Sequence, residues 1–142
     1  PTYRIPLRSL ALAFARVADP SGLTPERRAA CELMTSAVAK HPVLIAGSRG
    51  RLCTELSRVT GGRLFPKIGA EGVYAIGDCE SGKALTVKID DGGKRALHAV
   101  VIELLRRFEM LSSPEHQALE SWVHKDLVNH AGIKVGRTEV LA

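Results

Sequence analysis

The chain has 142 residues, of which 45% are hydrophobic and 25% charged, values typical of one soluble globular domain. The net charge is +5, but aromatic residues make up only 4% and no zinc-finger or RNA-recognition signature occurs, so nucleic acid is not an expected partner. No apolar run is long enough to span a bilayer and no signal peptide is visible, so we expect no membrane partner.

The first part of the chain predicts helices. Residues 6–17 carry an apolar stripe at helical spacing, and a turn over residues 19–22 ends it. Thr24 and Pro25 start a second helix, which stops before Pro42. After a glycine-rich turn, a short helix buries Leu52, Leu56 and Val59. The residues expected to face inward on the second helix are Ala30, Leu33, Met34, Ala37 and Val38.

The middle of the chain predicts three strands, over residues 64–67, 72–76 and 84–90, the last two joined by a hairpin loop. A long helix over residues 94–110 follows. Ser113 opens another helix, which holds Leu119 and Trp122, and the tail alternates like a final strand. Helices, an antiparallel meander and a helix across it indicate an α+β fold in a single domain. The core stripe expected on the long helix is Leu97, Val100, Val101, Leu104, Leu105 and Phe108.

The three cysteines, Cys31, Cys53 and Cys79, form no C-x-x-C pair, and their number is odd. This pattern argues against a disulfide scaffold or a self-contained structural zinc site, and a reducing, cytoplasmic setting is the simplest fit. The five histidines show no metal-ligand spacing, so we expect no metal site formed by this chain alone.

Lys67 stands out in the segment "FPKIGAEGVYAIGD" because a lysine inside a half-buried strand needs a partner or a function. The glycines that follow it mark a place where another backbone or a ligand approaches closely. The alternative is an edge-strand lysine that only discourages aggregation. A lysine on a strand followed by glycine also resembles the K-T-G triplet of serine β-lactamases and penicillin-binding proteins, with Ile68 in place of the hydroxyl residue.

A longer match is more specific. The strings "KIGAEGVYAIGD" and "ALTVKIDDGGKRA" strongly resemble the thermolabile, Rhizobium-type L-asparaginase II family. The opening "PTYRIPLRSLALAFARVA" and the ending "NHAGIKVGR" are also similar to that family. The resemblance implies a β-lactamase/transpeptidase-like fold, with an antiparallel sheet flanked by helices, and hydrolysis of L-asparagine to L-aspartate and ammonia. It also makes a homodimer the expected assembly.

By this resemblance Lys67 matches the family's active-site lysine, and Cys53 matches a cysteine close to that site, so both are candidate catalytic residues. The expected substrate-binding residues are Gly69, Ala70, Glu71, Gly72 and Asp91. Structural interpretations stand beside these: Cys53 as a small buried hydrophobe, Glu71 as a salt-bridge partner, and Asp90 to Gly92 as a turn that caps the long helix.

The family's S-x-x-K, C-S-G-K and D-G-C segments are absent from the chain. The resemblance therefore implies the C-terminal part of a longer asparaginase, inactive by itself, with the nucleophile and any zinc ligands upstream of Pro1. The missing N-terminal part is an expected partner that covers open sheet edges and exposed apolar surface. The alternatives are another β-lactamase-like amidohydrolase, such as a glutaminase or a penicillin-binding relative, or a non-catalytic fragment.

Overall fold

The computed structural model describes residues 4–141; Pro1 to Tyr3, where the family-like segment begins, and Ala142 lie outside the described residues. Helices and antiparallel strands alternate in an α+β arrangement, which confirms the predicted fold class. None of the helices in this part of the chain is long and apolar enough to cross a membrane. The elements are α1 (Leu7–Ala18), α2 (Pro25–Lys40), α3 (Pro42–Ala46), α4 (Leu52–Val59), β1 (Leu64–Ile68), β2 (Val73–Asp78), β3 (Ala84–Lys88), α5 (Lys94–Arg107), α6 (Ser113–Ala118), α7 (Glu120–Val123), β4 (Asp126–Val128) and β5 (Lys134–Arg137).

The central sheet is a three-stranded antiparallel meander in the order β1-β2-β3. Its register places Lys67 opposite Ala75, and Ala75 opposite Thr86. The tail strand β5 does not join this sheet but pairs with β4 in a separate hairpin. Because side chains alternate along a strand, the register also assigns each residue of the sheet to one of two faces.

One face of the sheet packs against α4 and α5 and forms the main core. Apolar side chains at helical spacing on these two helices meet alternate residues of the three strands. Burying them removes their apolar surface from water, the main stabilising contribution to the fold. The most deeply buried members are Leu52, Leu56, Leu64, Tyr74, Ile76, Leu97, Val101, Ile102 and Leu105.

The opposite face of the sheet is covered by α1. The rings of Phe14 and Phe65 lie 5.6 Å apart between their centroids. The Thr86 hydroxyl donates to the Leu7 carbonyl at 3.1 Å. The backbone of α1 approaches so closely at Gly77 that a Cβ there would lie 2.8 Å from the Phe14 carbonyl oxygen. The sheet is therefore sandwiched between α1 and the α4–α5 layer.

Five apolar residues expected in the core are exposed instead: Ala30, Leu33, Met34, Ala37 and Phe108. Leu33 and Met34 of α2 are 73% and 41% exposed, whereas Val38 on the same helix is buried as predicted. Only a narrow stripe of α2 has a packing partner among the described residues, so periodicity alone overestimates its buried face. Phe108 is 52% exposed because α5 ends at Arg107, and the backbone at Phe108 leaves the helix before the stripe can continue.

Candidate active site

Lys67 lies near the end of β1 on the face of the sheet that α1 covers. Its neighbours along the strand, Pro66 and Ile68, point to the opposite face, where Ile68 packs against the core. The Lys67 side chain is exposed, and its Nζ donates to the Ile68 carbonyl at 2.8 Å. Its cross-strand neighbour is the small, buried Ala75.

The hairpin turn after β1 has an unusual backbone, with positive φ at two successive residues. The Val73 N–H donates to the Ala70 carbonyl at 3.3 Å, and Glu71 and Gly72 between them have φ of 55° and 67°. Two successive positive φ angles are the pattern of a type I′ turn, which matches the twist of antiparallel strands. The segment Gly69-Ala70-Glu71-Gly72 therefore has a structural role, which is to form this tight turn, in addition to any role in binding.

The two halves of the family-like motif meet in space at this turn. The Ile89 N–H donates to the Gly72 carbonyl at 3.0 Å, and the Gly92 N–H donates to the Ile89 carbonyl at 3.0 Å. The backbones touch so closely that a Cβ at Gly72 would lie 3.2 Å from the Gly92 Cα. The Glu71 carboxylate lies over Gly92, since a Cβ at Gly92 would be 2.8 Å from Glu71 Oε2.

Asp91 lies in the turn between β3 and α5. Its side chain is exposed, and Oδ1 accepts the N–H of Gly93, the residue before α5, at 2.7 Å. This bond orders the turn that leads into the helix, but it does not cap α5 as the structural interpretation expected: Gly93 is the N-cap residue, and the structure records no side-chain cap for α5. The structure thus brings Gly92, the residue after Asp91, to the Glu71-Gly72 turn.

Cys53 lies apart from these residues, in the core on the other face of the sheet. It is 3% exposed on α4, and the Tyr74 hydroxyl donates to its sulfur at 3.1 Å. Burial raises the pKa of Tyr74, and the adjacent Cys53 raises it further. The sheet separates Cys53 from Lys67, and the proximity of Cys53 to an active site stays a prediction.

The residues that the structure describes, 4–141, contain no group of three or more His, Cys, Asp or Glu side chains arranged to hold a metal ion. Cys31, Cys53 and Cys79 are all free thiols. The described residues alone therefore do not fit a zinc site.

A concave feature that the sequence analysis missed lies on the core side of the sheet. Two adjoining cavities of about 200 and 640 Å³ share the residues Gly50, Lys94 and His98. Lys94 and His98 are four residues apart, a spacing that places them on one face of α5 and that the sequence could have revealed. Lys125 completes the rim from the segment before β4, and only the tertiary fold brings it there.

A family model described as L-asparaginase II matches residues 1–140 of the chain. The match includes Lys67, the hairpin turn and the acidic turn before α5. No curated protein matches the chain.

Proposed function

Because the chain belongs to the L-asparaginase II family, we propose that it forms part of an enzyme that hydrolyses L-asparagine to L-aspartate and ammonia. The family match over residues 1–140 is the observation on which the proposal rests, and it confirms the resemblance seen in the motifs. Hydrolysis of an amide needs a nucleophile, a proton carrier and donors for the oxyanion. The chain is proposed to supply part of this set.

Lys67 is the proposed site cation. It would hold the substrate carboxylate or donate a hydrogen bond to the nucleophile, both of which suit a positive charge at a fixed point on a strand. The exposed ammonium group, the small Ala75 opposite it and the small residues Gly69 and Ala70 after it leave room for a ligand and support this role.

The turn beside Lys67 is proposed to line the substrate pocket. Gly69, Ala70 and Gly72 would contribute backbone and space, and the exposed Glu71 carboxylate is a suitable acceptor for the ammonium group of asparagine. Asp91, which packs in the neighbouring turn, would add negative charge to the same wall. The contact between the Gly72 and Gly92 backbones supports the proposal that the two turns form one continuous wall of the pocket.

The nucleophile is proposed to come from residues outside this chain, because the S-x-x-K segment is absent from it. The same holds for zinc, since the described residues do not fit a metal site by themselves. A β-lactamase-like arrangement of the complete enzyme is part of the proposal, with β1 beside the active site.

The N-terminal part of the same enzyme and a second copy of it are the proposed partners. Apolar side chains just before α1 and along the outer sides of α1 and α2 are exposed, which supports contacts with further polypeptide. The residues concerned are Ile5, Leu7, Leu12, Leu33 and Met34.

The test is ammonia release by the full-length gene product with L-asparagine or L-glutamine as substrate. We expect the kcat/KM for asparagine to exceed that for glutamine by roughly 10–200-fold, which is what a pocket fitted to one chain length gains by rejecting an extra methylene. Equal or greater release from glutamine would identify a different amidohydrolase. Absence of release from both would refute the proposed reaction.

A further inference from the structure

The two adjoining cavities on the core side of the sheet form one cleft, which we name the basic cleft. Its smaller part ends on Cys53 and Tyr74, and its larger part opens between α5 and the segment around Trp122. A volume of about 640 Å³ for the larger part is within the range of small-molecule sites. The four cationic side chains that line the basic cleft are Arg51, Lys94, Arg95 and Lys125.

No acidic residue lines either part of the basic cleft. The ion pairs formed within residues 4–141 use other cations, so none of the four has a carboxylate partner there. The acid adjacent to Lys125, Asp126, pairs with Lys134 at 2.6 Å. The acid closest to Lys94 along the chain, Asp91, accepts the Gly93 N–H and lies outside the lining.

The positive charges of the basic cleft act on His98, which lines both of its parts. Burial lowers the pKa of His98, and the positive charges of Lys94 and Lys125 lower it further. Its ring also packs edge-on against Trp122, with 5.1 Å between the ring centroids, so its position is determined. Like charges gathered around a partly enclosed space repel one another, and a bound anion relieves that repulsion.

We propose that the basic cleft binds a small oxyanion with two or more negative charges and no ammonium group. Four cations require more than one negative charge for balance, and the guanidinium groups of Arg51 and Arg95 suit oxyanions because each can donate two parallel hydrogen bonds. An amino acid is a poor ligand because its ammonium group meets no acceptor carboxylate in the lining. The basic cleft is thus a site distinct from the one proposed for asparagine around Lys67, on the other face of the sheet.

Calorimetric titration of the full-length protein with pyrophosphate, succinate or L-aspartate tests the proposal. We expect pyrophosphate or succinate to bind, and which of them binds more tightly identifies phosphate or dicarboxylate chemistry. The double variant Lys94→Ala/Lys125→Ala should weaken that binding at least about tenfold, because two charge-assisted contacts are lost. Both side chains are exposed, so the variant is expected to fold.

The matched control is Lys40→Ala, an exposed lysine at the end of α2 that lines neither part of the basic cleft. It should change the affinity less than about twofold. An equal loss in both variants would mean non-specific attraction to a positively charged protein and would overturn the proposal. Undetectable binding of both pyrophosphate and succinate would overturn it as well, and so would L-aspartate binding that Lys94→Ala/Lys125→Ala weakens at least as much as the binding of the anion.

An NMR titration of His98 gives an independent readout. An anion placed among the cations should raise the pKa of His98, whereas binding elsewhere on the surface should leave it unchanged. The exposed His124 is the internal control, since it does not line the basic cleft. A shift of the His98 pKa on saturation with the anion supports the proposal, and an unchanged His98 pKa contradicts it.

Discussion

Glu71 adopts a left-handed backbone conformation, with φ of 55°, which a residue with a side chain adopts at a cost of about 1–2 kcal/mol. We expect Glu71→Gly to leave the free energy of unfolding unchanged or to raise it by up to about 1 kcal/mol, because glycine fits the type I′ turn. Urea unfolding of the full-length protein measures this. If Glu71 also binds substrate, the same variant should raise KM for asparagine while the fold stays intact.

The control for this change is Glu80→Gly, in the loop between β2 and β3. Glu80 is also an exposed glutamate in a hairpin connection, but its φ is not positive. Glycine there relieves no strain and adds freedom to the unfolded chain, so stability should fall by up to about 1 kcal/mol. A fall of the same size for Glu71→Gly would contradict the account of the turn.

Single residues were predictable where local chemistry determines them. The strand position of Lys67 and the turn at Glu71-Gly72 follow from the local pattern, and the exposed side chain of Lys67 agrees with both interpretations given for it. The exposure of Leu33 and Met34 was not predictable, because the partner of an apolar helix face is a tertiary property. For the same reason the sequence did not predict that Lys125, which lies on a distant segment, lines the basic cleft.

At the scale of elements, α1 packs on the sheet through a contact that only glycine allows. We expect Gly77→Ala to lower the free energy of unfolding by about 1–3 kcal/mol, since its Cβ would lie 2.8 Å from the Phe14 carbonyl oxygen and 2.9 Å from the Ala18 Cβ. Urea unfolding measures the loss. Gly22→Ala is the control, because a Cβ there meets nothing within 4 Å. Equal effects of the two variants would show that the contact does not constrain α1.

A second connection between elements is made by Arg63, which lies directly before β1. Its guanidinium donates to Asp78 at the end of β2 at 2.9 Å, to the Met110 carbonyl at 3.1 Å and to Glu115 of α6 at 3.0 Å. Partial burial raises the pKa of Glu115, but hydrogen bonds from Ser112 and Arg63 outweigh this and bring it below the usual value of 4.5. The ionised form of Glu115 therefore stabilises the folded state.

The pKa of Glu115 is lower in the folded state than in the unfolded state. Its contribution to stability is therefore fully present when the pH is above the pKa of the unfolded state, and it is lost as the pH falls through the pKa of the folded state. Below a pH of about 4.5, the wild type should therefore lose more stability than Glu115→Gln, which has no such contribution to lose. Urea unfolding at pH 7 and at successively lower pH compares the two proteins. Glu120 is exposed, so Glu120→Gln should lose stability with falling pH as the wild type does. If the wild type and Glu115→Gln lose the same stability as the pH falls, the stabilising role of the Arg63–Glu115 ion pair is refuted.

Element types were largely predictable because each long element has a clear period. The stripe over residues 6–17 and the strands around Lys67 agree with α1, β1 and β2 to within two residues at most boundaries. The predicted helix after Ser113 is instead two short ones that meet at Leu119. The tail strand was predicted, but its pairing with β4 was not, since a strand's partner depends on how the chain returns in space.

At the scale of the whole molecule, the sheet separates two chemical environments. The α1 face carries Lys67 and the motif turn beside it, and the core face carries Cys53 and the basic cleft. The sequence predicted the family and the motif but not this division, because assignment to a face needs the register of all three strands. The proposed asparaginase activity belongs to the first face, and residues outside this chain would complete it.

The most direct test of this account compares asparagine hydrolysis by full-length wild type, Lys67→Ala and Lys88→Ala. Lys88 is a matched control: it is an exposed lysine on the same face of the sheet, and its Nζ also donates to the carbonyl of the next residue. The account predicts a loss of about 10²–10³-fold in kcat/KM for Lys67→Ala, comparable to removing an oxyanion donor, and less than about twofold for Lys88→Ala. A folded Lys67→Ala protein with wild-type activity would contradict it.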